Sequence, residues 1–153
     1  MNETNVRRGF PPVLPVWLDL IFRLVVGGTF IYASLDKIAN PAGFAQAIYN
    51  YRMLPVFLLH PFALALPWIE LICGLAVILG TWRRGAAGIV SLMNLMFIVA
   101  IAVALARGLD ISCGCFHTEG GDAVGLSLLL RDLGLLAVSL AMTFCPIRTG
   151  RIL

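Results

Sequence analysis

Two cysteines separated by a single glycine, Cys113-Gly114-Cys115, stand in a polar, glycine-rich stretch, with His117 two positions further on. Thiols that close together can exchange electrons as a pair. Consecutive alpha carbons are about 3.8 Å apart, so positions two apart enter the usual disulfide window only if the backbone turns sharply, and Gly114 is suited to that turn. A bond so made is strained, and strain makes it easier to reduce. As a staple it would close almost no loop and remove little entropy from the unfolded chain. A nearby imidazolium would lower a thiol pKa, which makes His117 a candidate modulator, or else a solvated loop residue. Two other chemistries stay open: Cys113, Cys115 and His117 as soft ligands for copper(I), mercury or zinc, and an inert or intermolecular disulfide.

A second set of reactive groups is buried in apolar sequence. Asp19 and Arg23 fall in one hydrophobic run, Glu70 in another, Arg131 and Asp132 in a third, and Asn94 is the main polar residue of a run without charges. An ionisable residue inside a span is costly and normally faces a partner. Asp19 and Arg23 are four apart and can pair on one helix face. Glu70 and Arg131 lie at similar depths and are the expected inter-helix pair. These residues either pin helix register or line a pocket, with Arg131 as hydrogen-bond donor, Glu70 as proton carrier, and a quinone headgroup or small anion as the ligand. Pro67 would bend the helix that carries Glu70.

The elements that must position these groups follow from composition. The chain has 153 residues, of which 60% are apolar and 12% charged, and its mean hydropathy is +0.95. Soluble domains are roughly 45 to 50% apolar, so a soluble globule is excluded. Val16 to Leu35, Pro61 to Gly80, Gly85 to Ala106 and Val124 to Phe144 each approach the roughly 20 residues that cross a bilayer. The expected fold is all-α: a single four-span membrane bundle, with no separate soluble domain. The net charge of +3 is not gathered into a nucleic-acid-binding run, and no nucleic-acid partner is expected.

Arg7, Arg8, Arg83, Arg84, Arg148 and Arg151 fall on one side of this bundle, and Lys37, Arg52 and Arg107 on the other. The positive-inside rule then puts both termini in the cytoplasm and the Cys113/Cys115 loop outside, in an oxidising compartment if the membrane is a bacterial inner membrane. The early prolines and charges do not fit a cleaved signal peptide, and the first run is expected to remain as a span. Between the first two spans, Asn40-Pro41 is a helix-start signal, and Phe44, Ile48 and Tyr51 follow at helical spacing. A short amphipathic helix at the outer interface is expected there. Cys73 and Cys145 fall in apolar runs and read as packing residues.

Phe30-Ile-Tyr-Ala-Ser-Leu-Asp-Lys-Ile, Asn40-Pro41, Tyr51-Arg-Met-Leu-Pro, Leu66-Pro-Trp-Ile-Glu-Leu-Ile-Cys-Gly, Gly80-Thr-Trp-Arg-Arg, Asp110-Ile-Ser-Cys-Gly-Cys-Phe and Leu130-Arg-Asp-Leu occur in this order. The set resembles the DoxX-like membrane proteins, most closely their methylamine-utilisation MauE branch, over nearly the whole chain. The resemblance implies an inner-membrane four-helix protein linked to thioredoxin-like partners and to maturation of disulfide-containing periplasmic proteins. It points to Cys113 and Cys115 as the thiol pair and to Arg23, Glu70, Arg131 and Asp132 as the polar set of the bundle. The function expected is thiol–disulfide exchange with a thioredoxin-like protein and a membrane electron acceptor, a quinone being the candidate cofactor. Alternatives are a carrier for a soft metal or sulfur-containing ion, and a non-catalytic accessory subunit docked to other membrane subunits.

Overall fold

The computed structural model describes residues 15–108 and 126–145, and the Cys113-Gly114-Cys115-Phe116-His117 segment lies outside them. Five helices follow one another: α1 (Val16–Ala39), α2 (Pro41–Asn50), α3 (Val56–Leu79), α4 (Arg83–Ala106) and α5 (Leu126–Phe144). Four of them, α1, α3, α4 and α5, are long and apolar enough to cross a membrane. The all-helical four-span architecture expected from composition is therefore the one observed.

Each span buries a narrow stripe and leaves large apolar side chains such as Leu24, Ile72 and Leu92 on the outside, the pattern of helices whose solvent is hydrocarbon rather than water. On α1 the buried stripe is Val26, Gly27, Phe30, Ala33, Ser34 and Lys37, a run of steps of one and three residues that keeps one helix face inward. α3 answers with Leu59, Ala63, Leu66, Glu70, Cys73, Gly74 and Val77. The two helices touch backbone to backbone. A Cβ on Gly27 would stand 2.7 Å from the Gly74 carbonyl oxygen, and one on Gly74 would stand 3.0 Å from the Gly27 carbonyl oxygen. Small residues at such a crossing let membrane helices approach closely. α4 packs on α5 and α3, and α1 also meets α5, which closes the bundle.

The largest departures from the expected bounds are at the end of α1 and the start of α3. α1 continues to Ala39 and α3 starts at Val56 rather than Pro61. Pro55 is the residue before the first turn of α3, while Pro61 and Pro67 both lie inside the helix; membrane helices tolerate internal proline because neighbours satisfy the freed carbonyls. The expected short helix is present as α2. The Asn40 side chain caps it by accepting from the Gly43 N–H at 2.9 Å, and Pro41 occupies its first position. Its Phe44, Ala45 and Ala47 are buried against the spans. Gly80 ends α3 in the left-handed conformation at φ 74°, the usual glycine stop of a helix, so that α4 begins three residues later.

Candidate functional site

The buried charges segregate into two clusters at opposite ends of the bundle. Near the start of α1, Asp19 forms an ion pair with Arg23 at 2.7 Å and accepts a hydrogen bond from Arg83 Nε at 2.7 Å, with Arg83 Nη2 ion-paired to the same oxygen at 2.6 Å. Arg83 opens α4 and also donates to the carbonyl of Cys145, just beyond α5, at 3.3 Å. The expected Asp19–Arg23 pair is thus present, with a second arginine added. Arg83 thereby links the starts of α1 and α4, through Asp19, to the end of α5, through the Cys145 carbonyl.

Near the other end of α1, the Lys37 ammonium donates to both carboxylate oxygens of Glu70 at 2.8 Å. Both side chains are only 1% exposed. The expected partner of Glu70 was Arg131, so the pairing is corrected: Lys37 takes both oxygens, and Arg131 instead donates to the neighbouring carboxylate of Asp132 at 2.8 and 2.9 Å. The reason is directional. Side chains on a helix tilt toward its N-terminus, so a lysine in the last turn of α1 reaches back into the bundle, where Glu70 on antiparallel α3 comes to meet it. The sequence signal was available: Lys37 continues the buried spacing of Phe30, Ala33 and Ser34, although it lies just past the apolar run.

The rest of this cluster ties three helices together. The Asn94 amide on α4 donates to the backbone carbonyl of Asp132 on α5 at 2.8 Å. Thr29, Lys37, Glu70, Asn94, Arg131 and Asp132 border a cavity of about 30 Å³. A water needs roughly 10 to 15 Å³ of such space, so the cavity suits one or two waters rather than a quinone ring. Of the candidate pocket residues, Glu70, Asn94, Arg131 and Asp132 are brought together; Arg23 is in the other cluster.

Lys37 also sits 5.1 Å from the centre of the Phe44 ring and 4.9 Å from that of Phe97, a cation–π arrangement that shields the ammonium from lipid. The same two rings line a much larger apolar groove of about 430 Å³ between α2, α3 and α4, bordered also by Tyr51, Leu66, Leu95 and Ile101. Tyr51 follows α2 and is half-buried; burial, helped by the carboxylate of Asp132, pushes its phenol pKa up to about 12, so it stays neutral. Sequence reasoning gave neither Lys37 nor this groove.

Cys73 is buried in the core and Cys145 half-buried, both as free thiols, in keeping with packing roles. Cys113, Cys115 and His117, on which both the thiol and the metal readings rest, lie outside the described residues. The residues flanking their loop are described: Ile101 of α4 packs against Leu128 of α5, and Arg107 donates to the Arg52 carbonyl at 3.4 Å. α4 therefore ends, and α5 begins, at the end of the bundle that holds Lys37 and the groove.

Comparison with known proteins gives one consistent result. The family model described as methylamine utilisation protein MauE matches residues 15–145. The chain is 32% identical over 143 residues to a methylamine utilization protein MauE of Methylophilus methylotrophus, covering 92% of this chain and 73% of that protein. It is 32% identical to the Methylorubrum extorquens protein of the same name, covering 67% of this chain and 56% of that one. For the Paracoccus denitrificans MauE the figures are 31% identity, 78% and 65%. The chain thus spans between about half and three quarters of the length of these relatives. No solved structure matches. The wider DoxX-like grouping remains a resemblance of sequence motifs, whereas the match across all four spans shows that the chain belongs to the MauE family.

Proposed function

We propose that this protein is a membrane accessory factor of a methylamine-utilisation system that exchanges disulfides through Cys113 and Cys115. The observation that carries the reading is the Cys-Gly-Cys pair in the loop joining α4 to α5, a spacing poor for a structural staple and suited to a labile bond. The relatives' printed name supports the system. In the exchange, a thiolate of a thioredoxin-like partner attacks one sulfur of the Cys113–Cys115 bond, giving a mixed disulfide and one free thiolate on this chain. The partner's second thiolate then resolves the mixed bond, leaving the partner oxidised and both loop cysteines reduced. Regenerating the bond requires a two-electron acceptor, and an isoprenoid quinone bound to the chain supplies that capacity together with sites for two protons.

The membrane in this proposal is the bacterial inner membrane, with both termini cytoplasmic. Since Lys37 is buried against Glu70, it drops out of the loop charges, and six arginines on one side face Arg52 and Arg107 on the other. The positive-inside bias is stronger for its removal.

The test is trapping in native membranes. With Cys115→Ser or Cys113→Ser, one of the two variants should accumulate a reductant-sensitive adduct with a thioredoxin-like protein, and the double serine variant should fold yet form none. Full disulfide maturation of the partner's targets in the double variant overturns thiol exchange. A stoichiometric soft metal on the reduced pair, with no adduct, would favour ion handling instead.

A further inference from the structure

We propose that the Asp19 end of the bundle binds the headgroup of a net anionic phospholipid, held by Arg23 and Arg84 at the turn between α3 and α4. The arginines of this end meet at that turn. Arg23 is ion-paired to Asp19 through Nε, and its guanidinium lies against Gly80, where an added Cβ would collide with Nη1. Arg83 opens α4 and is committed to Asp19 and to the Cys145 carbonyl. Arg84, the next residue, is exposed. Asp19 is the one acid at this end among the described residues, since Asp36, Glu70 and Asp132 belong to the other. One carboxylate against these guanidinium groups leaves the turn with a surplus of positive charge.

The donors left over face the bilayer. Neither Nη of Arg23 donates to a described residue, and Arg84 makes no hydrogen bond or ion pair with one. Arg23 stands about 10 Å along α1 from Val16 at 1.5 Å per residue, beside the exposed, lipid-facing Leu20 and Leu24. Guanidinium donors at that depth need an acceptor. Side chains on a helix tilt toward its N-terminus, so Arg23 reaches for acceptors at the membrane edge. Trp17 and Trp82, 66% and 87% exposed, mark that edge, because tryptophan settles at headgroup level.

The acceptor that the bilayer holds at this level is the phosphate of its lipids. A phosphodiester presents two oxygens that a guanidinium fork meets bidentately. A zwitterionic headgroup brings its own cation and leaves the surplus charge of the turn unmatched, whereas a net anionic one neutralises it. Basic residues between membrane helices are suited to such headgroups. The inference concerns a site apart from the loop cysteines and does not depend on thiol exchange.

The experiment offers the delipidated full chain, in detergent, equal amounts of phosphatidylglycerol and phosphatidylcholine with matched acyl chains, and native mass spectrometry reads what stays bound. Phosphatidylglycerol should be retained under activation that strips phosphatidylcholine. Arg84→Gln, at an exposed side chain that ties no helix to another, should weaken retention about fivefold, the worth of one cation near an anionic headgroup. Arg23→Gln should weaken it at least tenfold through lost hydrogen bonds to a charged group; should that variant fail to fold, Arg84→Gln decides alone. Arg52→Gln removes the same charge from an exposed residue at the other end and should change nothing. Equal retention of the two lipids overturns the proposal, as does parental retention in Arg84→Gln. A loss in Arg52→Gln as large as that in Arg84→Gln reduces the effect to net charge and overturns it too. Displacement of phosphatidylglycerol by an equal concentration of inorganic phosphate assigns the turn to a free anion and likewise overturns the lipid site.

Discussion

The two ends of the bundle solve the same problem, charge in an apolar medium, in different ways. At the Asp19 end one carboxylate is shared by Arg23 and Arg83, a net positive cluster whose arginines lie about two turns into α1 and at the first residue of α4. Guanidinium groups at helix ends can snorkel to headgroups and water, so the surplus charge has somewhere to go. At the Lys37 end the ammonium and the Glu70 carboxylate cancel inside the protein, 1% exposed, behind two phenylalanine rings. The first arrangement is a clamp at the membrane edge. The second is an enclosed charge pair next to a ligand-sized groove, and enclosure is what makes a group responsive to whatever binds beside it.

The comparison breaks or holds on how each end tolerates losing a charge. Glu70→Ala should have the largest effect, a loss of about 3 to 5 kcal/mol, because it strands a buried ammonium; denaturant unfolding in detergent measures it. The double variant Lys37→Met with Glu70→Met should recover most of that loss, since apolar side chains of similar size can replace a buried pair. A double variant as unstable as the single would mean that the pair is not the enclosed unit described.

Asp19→Asn should cost less, about 1.5 to 3 kcal/mol, the worth of hydrogen bonds to a charged group. Both arginines can then turn to headgroups, and the residual amide keeps one acceptor. The same unfolding assay checks this, and a loss equal to that of Glu70→Ala would erase the distinction between the two ends.

Ser139→Ala should be the smallest change and sets the baseline for polar contacts between spans. It removes the 2.8 Å contact between the Ser91 and Ser139 hydroxyls, yet Ser91 keeps its bond to the Ala87 carbonyl at 2.8 Å. Polar contacts of this kind between membrane helices average about 0.6 kcal/mol, and thermal denaturation against the parent protein reads the difference.

Much of this architecture was legible in the sequence because hydrocarbon imposes a simple rule on composition and length. The four spans, the Asn40-Pro41 start of α2 and the Asp19–Arg23 pair all follow from local spacing. Lys37 was harder, since hydropathy counts a lysine beside an aspartate as loop whereas the helix runs on to Ala39. Its partner is set by tertiary packing, 33 residues away, and no local pattern distinguishes Lys37 from Arg131 as the cation that reaches Glu70. The groove was invisible for a related reason: it is made by α2 lying over α3 and α4, and each lining residue alone reads as ordinary lipid-facing sequence.

The Lys37–Glu70 pair also bears on how the chain is made. Asp19 and Arg23 pair within α1 itself, whereas the partner of Lys37 lies on a later span, at Glu70 of α3. Lys37 stands in the last turn of α1, where a long side chain can snorkel to the interface while the rest of the chain is made. Enclosure of the ammonium is therefore a step of helix association that follows the arrival of α3, and not a condition for inserting α1.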